Sequence, residues 1–291
     1  MRVALVTGRS EVTYQVETDR PLVEALERAG AVVEEPDWRD AAVDWQGFDV
    51  AVVRTTWDYT ADRDGFVAWA EQVGAVTTLV NDADVLRWNT HKSYLLELEE
   101  RGAPTVPTAW LARGDRCDLA ALVAERGWAC AIVKPAVASG SDGLLRVVAA
   151  DAASAGQAHL DGLLATGDAL VQPYLAAIET SGELSVVVLD GEVSHAVRKR
   201  PSAGEFRIQE QYGGRYVREE PSPAVAELAR WVVGASGADL AIARVDLVAA
   251  DDGTPQLVEL EATEPDLYLA LAPDGAARLA DLILARAVRS S

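Results

Sequence analysis

The sequence predicts an α/β fold in three stretches, and three observations carry that expectation. Strand and helix patterns alternate from residue 3 to about residue 53. An Ala-rich mixed segment fills roughly 110–170, beyond Pro104 and Pro107. From about residue 170 the apolar pattern favours strands.

Taken in order, residues 3–6 read as a first buried strand, 20–29 as a helix stopped by Gly30, and 31–34 and 50–53 as further strands. This βαβ series lacks the glycine fingerprint of dinucleotide sites: Gly8-Arg9-Ser10-Glu11 does not supply G-x-G-x-x-G, which disfavours a nicotinamide enzyme. Residues 89–101 predict a helix with Asn89 as N-cap, Leu95 and Leu98 on one face, and Gly102 as its stop. Pro104 and Pro107 mark a linker into a small second domain.

Later, 184–189 and 193–197 flank Asp190-Gly191, the signature of a hairpin with a type I′ turn. A second hairpin pairs 241–248 with 256–261 around Asp251-Asp252-Gly253-Thr254, and an amphipathic helix closes the chain over 276–288.

Composition narrows the functions. With 291 residues, 49% hydrophobic and 25% charged, the chain is a globular type able to bury a sizeable core. Its formal net charge of -20 repels polyanions, so no nucleic-acid partner and no anionic membrane surface are expected. A nucleotide would need a local basic pocket or a metal ion. The apolar start is too short for a signal peptide, and no run reaches transmembrane length. Two cysteines, Cys117 and Cys130, without zinc or disulfide spacing make a cytoplasmic setting the simplest.

Lysine is scarce, three residues against 23 arginines. Two of the three stand in informative places: Lys92 beside the predicted helix start, and Lys134 at the end of Ala131-Ile132-Val133, before the stretch Ala138-Ser139-Gly140-Ser141-Asp142-Gly143. An ammonium is a compact charge suited to phosphate oxygens, so the pair suggests a phosphate clamp. Compositional drift that spared three lysines by chance is the alternative.

If Asp252-Gly253 forms a two-residue turn, paired positions sum to 505, setting Asp246 opposite Glu259 and Arg244 opposite Glu261 on one face. Like charges so placed are destabilising unless neutralised. Three carboxylates without His or Cys form an oxygen-only set, the preference of magnesium. A plain wet face of an amphipathic hairpin is the competing reading.

Lys92, Lys134, the small-residue loop, Val171-Gln172-Pro173-Tyr174-Leu175 and the late acids Asp246, Glu259 and Glu261 together resemble the ATP-grasp superfamily, and within it the glutathione-synthetase branch. The resemblance implies an N-terminal substrate-binding βαβ domain (1–103), a central ATP-lid domain (104–172) and a C-terminal antiparallel-sheet domain (173–291). It implies ATP and Mg2+ as cofactors. Lys92 and Lys134 would contact ATP phosphates, with Ser139 and Gly140 in the covering loop. Gln172, Tyr174 and Leu175 would form the adenine hinge, and Glu183 would hold the ribose. Asp246 and Glu259 match the family's magnesium ligands, whereas Glu261 stands where the superfamily usually has Asn. Arginines after the first hairpin, Arg198, Arg200 and above all Arg207, are the catalytic candidates, with a solvated basic cluster as the alternative for each. His195 reads as a packed core residue.

Arg54-Thr55-Thr56-Trp57-Asp58-Tyr59, Arg87-Trp88-Asn89, Val197-Arg198-Lys199-Arg200-Pro201, Phe206-Arg207-Ile208-Gln209-Glu210 and 261–267 look like a bacterial subgroup that includes the O-ureido-D-serine cyclo-ligase of D-cycloserine synthesis. Arg54, Thr55, Trp57 and Asp58 follow the third strand, at the carboxyl end where open sheets bind ligands, and are the substrate candidates. The expected activity is ATP-dependent ligation of a small amino-acid-like substrate: phosphorylation of a carboxylate or ureido carbonyl, then attack by an amine. Intramolecular ring closure is the alternative, and a phosphotransferase a further one. Relatives suggest a homodimer.

Overall fold

The computed structural model describes residues 1–8, 12–209 and 212–289, without the side chains of 12–17 and 289. Arg9, Ser10, Glu11 and Glu210, each part of a motif discussed above, lie outside these residues.

The first sheet is parallel. Strands β1 (Arg2–Thr7), β2 (Val32–Glu34), β3 (Val50–Thr55) and β4 (Thr78–Val80) lie in the order β2-β1-β3-β4. Every residue of β3 is buried, as expected for a parallel strand covered on both faces. Helix α1 (Val12–Arg28) is longer than its sequence pattern suggested and covers one face. Helix α2 (Arg63–Gly74), capped by Asp62, covers the other with Trp38, Phe66 and Trp69.

The helix predicted over 89–101 is the shorter α4 (Tyr94–Glu100), and a separate helix, α3 (Ala83–Asn89), precedes it. Asn89 is therefore the last residue of α3, not an N-cap. Its amide has tertiary work: Nδ2 donates to the Leu260 carbonyl at 2.7 Å, and Oδ1 accepts from Ala262 N–H at 2.7 Å and Thr263 Oγ1 at 3.1 Å. The cap of α3 is Asp82, which accepts from Val85 N–H.

The central sheet is antiparallel: β5 (Ala109–Leu111), β6 (Cys130–Pro135), β7 (Leu145–Val148) and β8 (Ala169–Pro173), in the order β5-β8-β6-β7. Helices α5 (Leu119–Glu125) and α6 (Gln157–Thr166) bury Leu119, Val123, Leu160 and Leu164 against it.

After the short α7 (Ala177–Thr180) comes the third sheet, β9 (Glu183–Leu189), β10 (Glu192–Arg200), β11 (Arg215–Glu219), β12 (Ile242–Ala249) and β13 (Pro255–Glu261). It is antiparallel in the order β11-β10-β9-β12-β13. Asp190 and Gly191 both take positive φ between β9 and β10, the two-residue turn the sequence predicts. The β12–β13 turn differs. Three residues, Asp251-Asp252-Gly253, lie between Ala250 and Thr254, and a bulge follows between Asp246 and Leu247. The two departures cancel, so Asp246 still faces Glu259 and Arg244 faces Glu261.

Packing crosses the expected boundary at 103. Val85, Tyr94, Leu95 and Leu98 share a core with Val186, Val188 and Val245 of the third sheet and with Val232 of α8 (Pro223–Ala235). The last helix, α9 (Pro273–Arg289), returns to the first sheet, where Leu279 and Ile283 meet Val3, Leu5 and Leu26. Among the described residues no helix is long and apolar enough to cross a membrane.

Candidate active site

A cleft of about 880 Å³ opens between the central and third sheets, with one wall supplied by residues 57–60 after β3. All three lysines of the chain line it. Lys92, in the break between α3 and α4, reaches Glu259 Oε1 at 3.0 Å and donates to the Ala138 carbonyl at 2.8 Å. Lys134 projects from β6, and burial pushes its ammonium below the usual lysine range, with Glu259 opposing that shift. Lys199, given no role at the sequence level, sits on β10 with Nζ 2.5 Å from Glu183 Oε1 and 3.7 Å from Asp246 Oδ1. Burial works against its charge, but Asp246 and Glu183 outweigh it and hold the ammonium well above the usual range.

Carboxylate oxygens of Asp246, Glu259 and Glu261 all lie within 4.8 Å of one another. Arg244 threads between them: Nε and Nη2 donate to Asp246 at 3.0 and 2.8 Å, and Nη2 also meets Glu261. Ser185 Oγ donates to Asp246 as well. Burial opposes the charge on all three acids. Arg244 and Lys199 reverse this at Asp246, and Lys92 and Lys134 do so at Glu259, so both stay below the ordinary carboxylate range. Glu261 goes the other way, pushed well up by burial and by Glu259 and Asp246 despite Arg244. The donor set is all oxygen, three convergent carboxylates, and it suits a hard divalent cation.

At the far end Gln172 and Tyr174 leave β8. Gln172 Nε2 donates to Thr108 Oγ1 at 2.8 Å, and the Arg146 guanidinium lies 3.9 Å from the Tyr174 ring centroid. Leu175, Ile132 and Val106 add apolar surface. The loop carrying Ser139 and Gly140 closes one side. Ser139 Oγ donates to the Trp57 carbonyl at 3.1 Å, and Gln209 Nε2 donates to Ser141 Oγ at 2.6 Å.

The remaining candidates divide. Arg207 lines the cleft, its guanidinium 2.7 Å from Glu205 Oε2 and 3.6 Å from the Tyr212 ring centroid. Arg198 and Arg200 do not line it. Successive strand residues point to opposite faces, so Lys199 enters the cleft while Arg198 turns out to Glu219 at 2.6 Å and Arg200 is exposed. Trp57 and Asp58 line the cleft; Arg54 and Thr55 do not. Arg54 is buried beneath it, donating to Asp19 Oδ1 at 2.8 and 3.0 Å and to the Pro265 carbonyl at 3.1 Å. His195 is a packed residue, as expected: Nε2–H donates to the Leu267 carbonyl at 2.7 Å. Sequence reasoning also missed Glu264, Asp266 and Tyr268, which line the cleft from the irregular segment after β13. Lysine scarcity could have found Lys199.

Residues 73–269 match the RimK-like ATP-grasp domain, more than half of the chain. This chain belongs to the RimK-like ATP-grasp family. Residues 3–81 match the N-terminal domain of D-cycloserine synthetase DcsG. Over 300 residues the chain is 33% identical to the cycloserine biosynthesis protein DcsG of Streptomyces lavendulae, covering 98% of each. It is 24% identical to a glutathione synthetase of Rhodopseudomonas palustris, covering 84% of this chain and 76% of that one. Among solved structures it resembles D-cycloserine synthetase DcsG with a TM-score of 0.89 and 30% identity, over 99% and 100% of the two chains. The D-alanine–D-alanine ligase of Bacillus anthracis shares the fold with a TM-score of 0.75 at 18% identity, over 100% and 98%. As an ATP-grasp enzyme the chain is an ATP-dependent ligase that forms carbon–nitrogen bonds after activating a carboxylate.

Proposed function

We propose that this ATP-grasp ligase binds ATP with magnesium in the described cleft and closes a ring within one small amino-acid-like molecule. The convergence of all three lysines and three carboxylates on one cleft carries the ATP and magnesium part of the reading. Asp246, Glu259 and Glu261 would hold the cation, which when bound neutralises charge on the phosphate oxygens. Lys92 and Lys134 stand ready for phosphate, and Gln172, Tyr174 and Leu175 form the end suited to a planar base. The loop 138–143 covers the site, and excluding water protects an acyl phosphate from hydrolysis.

Ring closure is favoured over joining two molecules by the N-terminal match to DcsG, because that stretch supplies Trp57, Asp58, Tyr59 and Thr60 to the cleft. The acyl phosphate would then be attacked by a nitrogen of the same substrate. Both cysteines are free, in keeping with a cytoplasmic enzyme. A coupled ADP assay tests the reading. O-ureido-D-serine alone should drive ADP and phosphate release with a cyclic product. Release that requires a separate acid and amine would replace cyclisation by intermolecular ligation.

A further inference from the structure

Residues 262–268 follow no helix or strand until the short turn at 269–271, yet side chains from four elements hold their backbone. Asn89 of α3 takes the Ala262 N–H at 2.7 Å, and Arg54 of β3 donates to the Pro265 carbonyl at 3.1 Å. Arg244 of β12 donates to the Asp266 carbonyl at 3.0 Å, and His195 of β10 to the Leu267 carbonyl at 2.7 Å. A segment fixed at this many points holds whatever side chain it presents.

One side chain it presents to the cleft is Glu264, which is only 6% exposed. Among the described residues its carboxylate makes no ion pair and no hydrogen bond beyond its own backbone N–H. Its neighbours are all committed. Glu183 has Lys199, Asp246 and Glu261 have Arg244, and Glu259 has Lys92. Asp58 has Trp38 and Arg39, and Asp266 accepts from the Tyr268 N–H. Glu264 also stands outside the three-carboxylate cluster. A buried carboxylate without a cation is costly, and a scaffold that holds it rigidly leaves it poised for a cationic ligand. Its charge is felt at Tyr59, on the wall formed by residues 57–60.

We propose that Glu264 receives the ammonium group of the substrate and makes a free amine a condition of binding. The inference rests on the amino-acid ligase reading and names the group that enforces it.

The test compares wild type with Glu264→Gln, using O-ureido-D-serine and its des-amino counterpart. Turnover is followed by ADP release with ATP and magnesium, and binding by calorimetry with a non-hydrolysable ATP analogue. Wild type should favour the amine-bearing compound on the order of 100-fold, as a charge-assisted contact allows. Glu264→Gln should lose that preference through KM, with binding of the des-amino compound and of ATP unchanged. Equal weakening toward both compounds, or an intact preference, overturns the proposal. So does a fall in kcat alone, which would make Glu264 a proton-transfer group. Amine-dependent binding without turnover would sink the cyclisation reading and leave Glu264 standing, whereas turnover indifferent to the amine would do the reverse.

Discussion

Lys199 Nζ lies 2.5 Å from Glu183 Oε1 and 3.7 Å from Asp246 Oδ1, so one buried ammonium joins the residue expected at the ribose to one expected at the metal. Removing it strands the Glu183 carboxylate and leaves Arg244 as the one cation paired with Asp246 among the described residues. Lys199→Met should lower turnover by roughly two orders of magnitude and destabilise the fold by about 3–5 kcal/mol, whereas Arg198→Ala, which breaks a rim pair with Glu219, should cost less than about 1 kcal/mol and leave turnover within about twofold. Thermal melts and ADP release check both variants.

Glu259→Gln removes one of three convergent acids and the partner of Lys92. The expected result is a magnesium requirement shifted to higher concentration and turnover down by roughly 100-fold or more, in line with losing preorganised electrostatic stabilisation. A magnesium titration of initial rate reads this directly. An unchanged magnesium midpoint would remove Glu259 from the metal site.

Gln209 and Ser141 meet at 2.6 Å across the mouth of the cleft. Gln209→Ala unpins the covering loop at one point, leaving the Ser139 contact to the Trp57 carbonyl, Lys92 on the Ala138 carbonyl and His159 on the Gly143 carbonyl. A looser cover admits water to an activated intermediate. ADP should then form in several-fold excess over ligated product, a ratio close to one in the wild type, as measured by chromatography of the same reaction.

Burial raises the Glu264 carboxyl to about 7, with Lys92 restraining the shift and Glu259 adding to it. The folded value exceeds the unfolded one near 4.5, so the folded state holds the extra proton. This contribution to stability is complete below pH 4.5 and is lost as pH rises through 7, about 3 kcal/mol in all. Denaturant melts in EDTA should show a shallower decline for Glu264→Gln than for wild type over that window. Parallel profiles would contradict the assignment.

Arg54 and Asp19 form a fully buried pair that also grips Pro265. Arg54→Ala leaves the Asp19 carboxylate without its cation and removes one of the four anchors of the segment carrying Glu264. A loss of about 3–5 kcal/mol is expected in chemical denaturation. In whatever fraction folds, KM for the amino-acid substrate should rise more than KM for ATP.

Sequence periodicity reached the βαβ start, both hairpins and the facing pair Asp246 and Glu259, because each rests on local pattern. The second hairpin is instructive. A three-residue turn and a bulge displace the pairing by one residue each in opposite senses, so the inferred register held at the acids while the turn itself differed. Arg198 and Arg200 were favoured over Lys199 as arginines, although strand alternation alone forces neighbours to opposite faces. Arg54 shows a second limit: its position at the end of β3 was legible, but its burial depends on Asp19 and Pro265, which are far away in sequence. Residues 262–268 have no period at all, and their side chains reach the cleft only through tertiary anchors.

The return of α9 to the first sheet has a consequence for biosynthesis. Leu279 and Ile283 complete the apolar layer over Val3 and Leu5. Strand β1 therefore keeps one flank uncovered until α9, which follows both other sheets in the chain, has been made.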